Sequence, residues 1–459
     1  MLPLIENFIS NNRDSDGTDN EKSHLFRVAL AAFIIMIAGT LLYPDTFTSA
    51  GFRLGSFRIS ALALLFFIAA PPVLAYALSR RGALTPGIID AALLLMVGFM
   101  TIRGFAAATN GNEMGLVAAF AVYTILLYYG ASILGQHSSA LRAISLSFAI
   151  LAVIISFYAI IEFIIKENVL FAALVAEKAP VKSAEFYRSG STLGQPLVLG
   201  AFLITVMPLQ IYFYFREKFL FRHVFWSLSI ILSAAALVIS FSKGSWITGA
   251  MLLFAAVIII IFNLKKFQGS LKPLVTLTAV VIALSIILIA FTYKEFKFNV
   301  FSSERKIESI TMRWNMWEAA PGVIIDNYMI GVGMWRGGRA VRDVAFTETE
   351  LEFMAADNDE NVYPVDNLYL TTMVEEGLIG TSLLILTIFL IGRQAWSLVR
   401  QKGRHRSIVI SLAAGMVAVL VNGITMDTLL IFPIMFIFWI YAGLIRAQAE
   451  AVRHIGDSS

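Results

Sequence analysis

Residues 246–263 read Trp-Ile-Thr-Gly-Ala-Met-Leu-Leu-Phe-Ala-Ala-Val-Ile-Ile-Ile-Ile-Phe-Asn, without a charged side chain. A helix needs about 20 apolar residues to cross the hydrocarbon core of a bilayer. The run is continuous and lacks the period-2 alternation of a barrel strand, so it reads as a spanning helix. Only Ser242-Lys243-Gly244-Ser245 separates it from a similar run at 224–242. Working outward, the same pattern recurs near 26–44, 57–79, 85–104, 113–133, 141–166, 195–215, 273–292, 368–392, 407–424 and 428–446. Backbone groups in lipid must be satisfied within the segment, which favours helices. The expected fold is an all-α integral membrane protein of about 12 spans, with Pro71-Pro72 kinking the second.

Composition agrees. Of 459 residues, 58% are hydrophobic and 14% charged, and the mean hydropathy is +0.78. Soluble domains carry about 25% charged residues, and none of this size hides so much apolar surface. Disorder needs low hydrophobicity. With no cysteine, a disulfide scaffold, a thiol nucleophile and a cysteine-held metal are excluded. The net charge of +4 does not point to nucleic acid, because the Lys and Arg flank the spans. With both termini cytoplasmic, 19 of the 35 Lys and Arg lie inside and 16 outside, 8 of these in one long loop that counts less. Residues 1–25 are polar and partly acidic and lack the features of a secretory signal. The expected division is a cytoplasmic tail (1–25), nine spans (26–292), a large periplasmic loop (293–366), three spans (367–446) and a second cytoplasmic tail (447–459).

Three features share the outer face. Before the sixth span, Lys178 and Lys182 precede Arg188-Ser-Gly-Ser-Thr-Leu-Gly-Gln-Pro. An arginine beside a helix N-terminus makes an anion site; a flexible loop ahead of a proline-started helix accounts for the same residues. Lys243, in the short gap between spans, must reach water or an anion, or snorkel to the interface. The long loop opens with a helical pattern in which Ile307, Ile310, Trp314 and Trp317 share a face and should lie along the membrane interface. Asp357, Asp359 and Glu360 lack the glycine and terminal glutamate of a calcium loop, so no metal site is expected. Asp366-Asn367 stands at the mouth of the tenth span, with Glu375, Glu376, Gly377 and Gly380 two to three turns further in. Carboxylates at this boundary are functional candidates; pairing with Arg188 or Arg313 as a purely structural set is the alternative.

Cations suit a diphosphate, the membrane suits a lipid tail, and a carboxylate can take a proton from an attacking sugar hydroxyl. Fixed cations make a metal unnecessary. A small-anion transporter would use the same charges, although its polar groups belong nearer mid-membrane and it often shows repeats. The motifs Arg188-Ser-Gly-Ser-Thr-Leu-Gly-Gln-Pro, Ser242-Lys-Gly-Ser-Trp, Arg313-Trp-Asn-Met-Trp, Ile330-Gly-Val-Gly and Asp366-Asn-Leu-Tyr-Leu with Glu376-Gly-Leu-Ile-Gly resemble, in type and order, the O-antigen ligase and O-antigen polymerase superfamily. The resemblance covers roughly residues 140–425.

It implies a bacterial inner-membrane glycosyltransferase of type C-like architecture. Such an enzyme uses an undecaprenyl diphosphate-linked donor at the periplasmic face, with no cofactor or metal. By motif position, Arg188 contacts the diphosphate. Lys243 stands where the family has an arginine, keeping the charge without the fork. Arg313 matches the loop arginine, with Arg336 assisting. Asp366 occupies the place of a histidine base in lipopolysaccharide ligases. Asn367, Tyr369 and Glu376 complete the substrate-binding set. The aspartate favours a polymerase joining lipid-linked glycans over lipopolysaccharide ligation proper. Protein O-glycosylation and a partnership with a chain-length regulator are compatible with the same motifs.

Overall fold

A computed structural model describes residues 24–42, 51–54, 57–79, 86–169, 187–216, 219–262, 283, 286–294, 297, 303–347, 365–401, 403 and 405–457. The membrane helices are α1 (His24–Leu42), α2 (Ala61–Ser79), α3 (Ile88–Ala107), α4 (Gly111–Leu134), α5 (Ser138–Ile165), α6 (Pro196–Arg216), α7 (Leu220–Ile239) and α8 (Lys243–Phe262). Loop helices α9 (Ser303–Asp326) and α10 (Gly337–Ala345) follow, then α11 (Leu368–Arg400), α12 (Arg406–Asn422) and α13 (Phe432–Asp457). Eight described helices are long and apolar enough to cross a membrane. The protein is an all-α, multi-pass integral membrane protein. Eleven of the twelve expected spans coincide with described helices. Most of the ninth, 273–292, lies outside the described residues, although 286–291 is helical.

Four boundaries need correction. The second span starts at Ala61, because Phe57–Ser60 pairs antiparallel with Gly51–Leu54 in a short hairpin, Arg53 opposite Arg58. Alternating apolar and polar residues in Phe57-Arg-Ile-Ser suit a strand. The long loop, as its opening pattern implied, is helical over Ser303–Asp326, and again over Gly337–Ala345. The last span starts at Phe432, and the expected tail from 447 continues as helix to Asp457, with Glu450 only 3% exposed.

The fourth correction is α11. At about 1.5 Å per residue its 33 residues would reach roughly 50 Å, more than a bilayer needs. Gly377, at φ 61 and ψ −165, breaks it. The released backbone groups are paired by the loop ahead of α10: Val332 and Gly333 N–H donate to the Val374 and Glu375 carbonyls (2.9 and 2.8 Å). Leu378 and Ile379 N–H donate to the Tyr328 and Met329 carbonyls (2.7 and 3.1 Å). Arg103 of α3 braces this loop through the Ile330 and Gly331 carbonyls (3.1 and 2.7 Å).

Helix α13 forms the centre of the bundle. Ile434 to Ile445 is apolar on every side, and each of its non-glycine residues is buried; a helix apolar all round belongs inside. It packs along α4 and also touches α6, α11 and α12. Small polar groups tie other helices together, with Gln210 donating to Ser229 and Ser233 at 2.9 Å each. A second, smaller core sits over the end of α11, built from Met316, Ala320 and Val323 of α9 with Val341, Phe346, Val365 and Val374.

Candidate active site

Asp366 lies two residues before α11 with φ 54, a left-handed conformation uncommon outside glycine. Contacts on every side hold it there. The Asn367 side chain caps α11, accepting from Tyr369 and Leu370 N–H at 3.1 Å each. Asn367 N–H donates to Asp427 Oδ1 (3.0 Å), and its Nδ2 donates to the Ile424 carbonyl (3.1 Å). Thr371 Oγ1 donates to the same Asp427 oxygen at 2.7 Å. From α9, Trp317 Nε1 donates to the Val365 carbonyl at 2.8 Å.

With its main chain fixed, Asp366 accepts from Arg313 Nε at 2.8 Å, its side chain 20% exposed. Burial raises the Asp366 carboxyl above the ordinary aspartate value, and the charge and hydrogen bond of Arg313 offset part of that rise. An aspartate shifted this way is a better proton acceptor near neutral pH than a free one. Burial also lifts Asp427 to about 6, opposed by its Thr371 bond and reinforced by the charge of Asp366.

Arg188 belongs to a second turn. Its Nε donates to the Ser240 carbonyl (3.2 Å) and its Nη2 to the Phe241 carbonyl (3.1 Å), just past the end of α7. The dipole of α7 favours a cation there. Lys243 opens α8 with an exposed side chain. Gly244 follows, so close to Thr425 that a Cβ would overlap the hydroxyl. Thr425 adjoins Ile424, whose carbonyl holds Asn367. The 423–427 loop between α12 and α13 thus touches both turns, the cationic one and the one carrying Asp366.

Three expected residues are placed differently. Arg336 Nη1 donates to the Ala107 carbonyl at 2.8 Å, closing the end of α3. Tyr369 gives its hydroxyl to the Leu420 carbonyl at 2.8 Å, leaving the ring 44% exposed. Glu376 is 2% exposed at the helix break, and neither carboxyl oxygen has a hydrogen-bond partner among the described residues. It lines, with Glu375, Thr372, Met100 and Trp439, an apolar cavity of ≈ 20 Å³, room for about one water. Lys178, Lys182, Asp357, Asp359 and Glu360 lie outside the described residues. No metal-binding group of three or more His, Asp or Glu occurs among the described residues.

The sequence reading passed over Glu162 and Asp427. Each is a lone carboxylate at the edge of an apolar run, the same signal that marked Glu375 and Glu376.

Residues 228–385 match the family model described as O-antigen ligase. This segment is similar to the O-antigen ligase family. The match supports a membrane enzyme of the O-antigen ligase and polymerase kind. No curated protein matches the chain. The matched segment carries Lys243, Arg313, Arg336, Asp366, Asn367, Tyr369 and Glu376. It is narrower than the expected 140–425, and Arg188 and Asp427 fall outside it.

Proposed function

We propose that the protein is an inner-membrane glycosyltransferase of the polysaccharide polymerase type. It extends a glycan at the periplasmic face from an undecaprenyl diphosphate-linked donor. The observation that carries this reading is the Asp366 turn. A part-buried carboxylate is held against Arg313 and shares the 423–427 loop with the turn that bears Lys243 and that Arg188 grips through the Ser240 and Phe241 carbonyls.

In the proposed reaction the acceptor hydroxyl gives its proton to Asp366 as its oxygen bonds to the anomeric carbon. The bond from that carbon to the diphosphate breaks on the opposite face, and the electron pair leaves on the diphosphate, inverting the configuration. Lys243 acts as a point charge and Arg188 as a directional donor toward the growing negative charge. Arg313 keeps Asp366 ionised despite its burial and fixes its direction.

The test is purified protein with a lipid-linked repeat unit. Wild type yields longer glycans, while Asp366→Asn and Arg188→Ala insert normally and yield none. Normal chain lengths from both variants would remove the site; uptake of a labelled anion into liposomes with no glycan product would favour a transporter.

A further inference from the structure

Glu162 lies one turn from the end of α5 and is 2% exposed. A carboxylate buried within a membrane helix is costly unless its lone pairs are filled. Here one loop fills them. Tyr187 Oη and Ser189 Oγ donate at 2.6 Å each, Ser191 N–H at 2.6 Å and Gly190 N–H at 3.3 Å. Asn168 Nδ2 adds a longer contact at 3.4 Å and also donates to the Ser191 carbonyl at 2.9 Å.

The donors flank Arg188 on both sides. Tyr187 and Ser189 turn toward Glu162, while Arg188 between them turns to the Ser240 and Phe241 carbonyls. Anchoring residues 187 and 189 on Glu162 fixes the backbone on both sides of Arg188, whose side chain takes the other direction. Ser191, at φ 54, holds a strained conformation, and its Oγ is tied to the Ile155 carbonyl at 2.7 Å. A carboxyl group offers acceptor sites on both oxygens, whereas an amide turns half of its end group into a donor.

We infer that Glu162 is the positioning residue for Arg188, aiming the guanidinium at the donor diphosphate. The inference rests on the proposed diphosphate role of Arg188. Glu162 touches no substrate, and its carboxylate is already occupied by protein donors.

The test is a double-mutant cycle on the full-length protein in nanodiscs, titrated with undecaprenyl diphosphate. Glu162→Gln is expected to weaken binding about tenfold in the wild-type background and less than about twofold in the Arg188→Ala background, because coupled residues are not additive. A purely structural role would cost the same in both backgrounds, which overturns the inference. So does wild-type affinity in Glu162→Gln beside weak binding by Arg188→Ala; that result leaves the diphosphate reading standing. Wild-type affinity in Arg188→Ala removes the diphosphate reading and this inference with it. Should Glu162→Gln fail to fold, the pair Tyr187→Phe and Ser189→Ala, which keeps the carboxylate and both backbone donors, reads the same coupling. Its loss must again vanish in the Arg188→Ala background for the inference to stand.

Discussion

The carboxylate of Asp366 is governed by two opposed effects, burial that raises its pKa and Arg313 that lowers it, and burial is the larger. Removing the cation leaves burial unopposed. Arg313→Ala should therefore move the acid limb of kcat/KM to higher pH, besides lowering the rate; a limb that stays put would separate Arg313 from the base. Asp427 is shifted chiefly by its own burial, with the charge of Asp366 adding to the rise. It ionises at about 6 in the fold against a reference value of 3.8, so the folded protein holds this proton more tightly than the unfolded chain. That contribution is complete below about pH 4 and is lost as pH rises through about 6, a change of at most ~3 kcal/mol. In Asp427→Asn it disappears, so the thermal midpoint of wild type should fall relative to that variant between about pH 4 and pH 7.

Among the elements, α11 shows how a long apolar pattern is interrupted by one residue. Gly377 takes φ 61, and a Cβ there would stand 2.6 Å from the Gly331 and Ile330 nitrogens. Gly377→Ala combines a left-handed L-residue with a collision against backbone that pairs on both sides. It should cost at least about 1–3 kcal/mol and lower the thermal midpoint. Gly322→Ala is the control: its site on α9 is exposed and open, and alanine in a helix is favoured by about 0.5–1 kcal/mol. Sequence spacing found α9 and a face for the membrane interface, but not the face that packs against the protein. Trp314 is 63% exposed, while Met316, Ala320 and Val323 are buried; the side chains of Ile307 and Ile310 lie outside the described residues. The large apolar residues suggested the stripe, but the neighbours offered by α10 and Val365 select the smaller ones. A helical pattern with two apolar faces does not say which will meet a partner.

For the molecule as a whole, the two ends of the bundle divide the work. At the end of α3 opposite the candidate site, Asp90 pairs with Arg446 of α13, both buried, and accepts from Tyr129 Oη at 2.8 Å. The Arg446 guanidinium also lies 5.6 and 5.4 Å from the ring centres of Tyr128 and Tyr129. Removing one partner of a buried pair strands the other, at about 3–5 kcal/mol. Arg446→Met should therefore leave little folded protein by size-exclusion chromatography, and adding Asp90→Leu should restore part of it. Without that rescue, the pair would not be the cause. The all-α membrane architecture, its apolar runs and the acid at Asp366 followed from sequence, because solvation by lipid is a property of composition and length. Tertiary structure alone decided that Asp366 meets Arg313, that Gly377 breaks α11 and that Arg336 is spent on α3. Those outcomes depend on which distant backbone groups lack partners once the helices pack, and no local pattern encodes them.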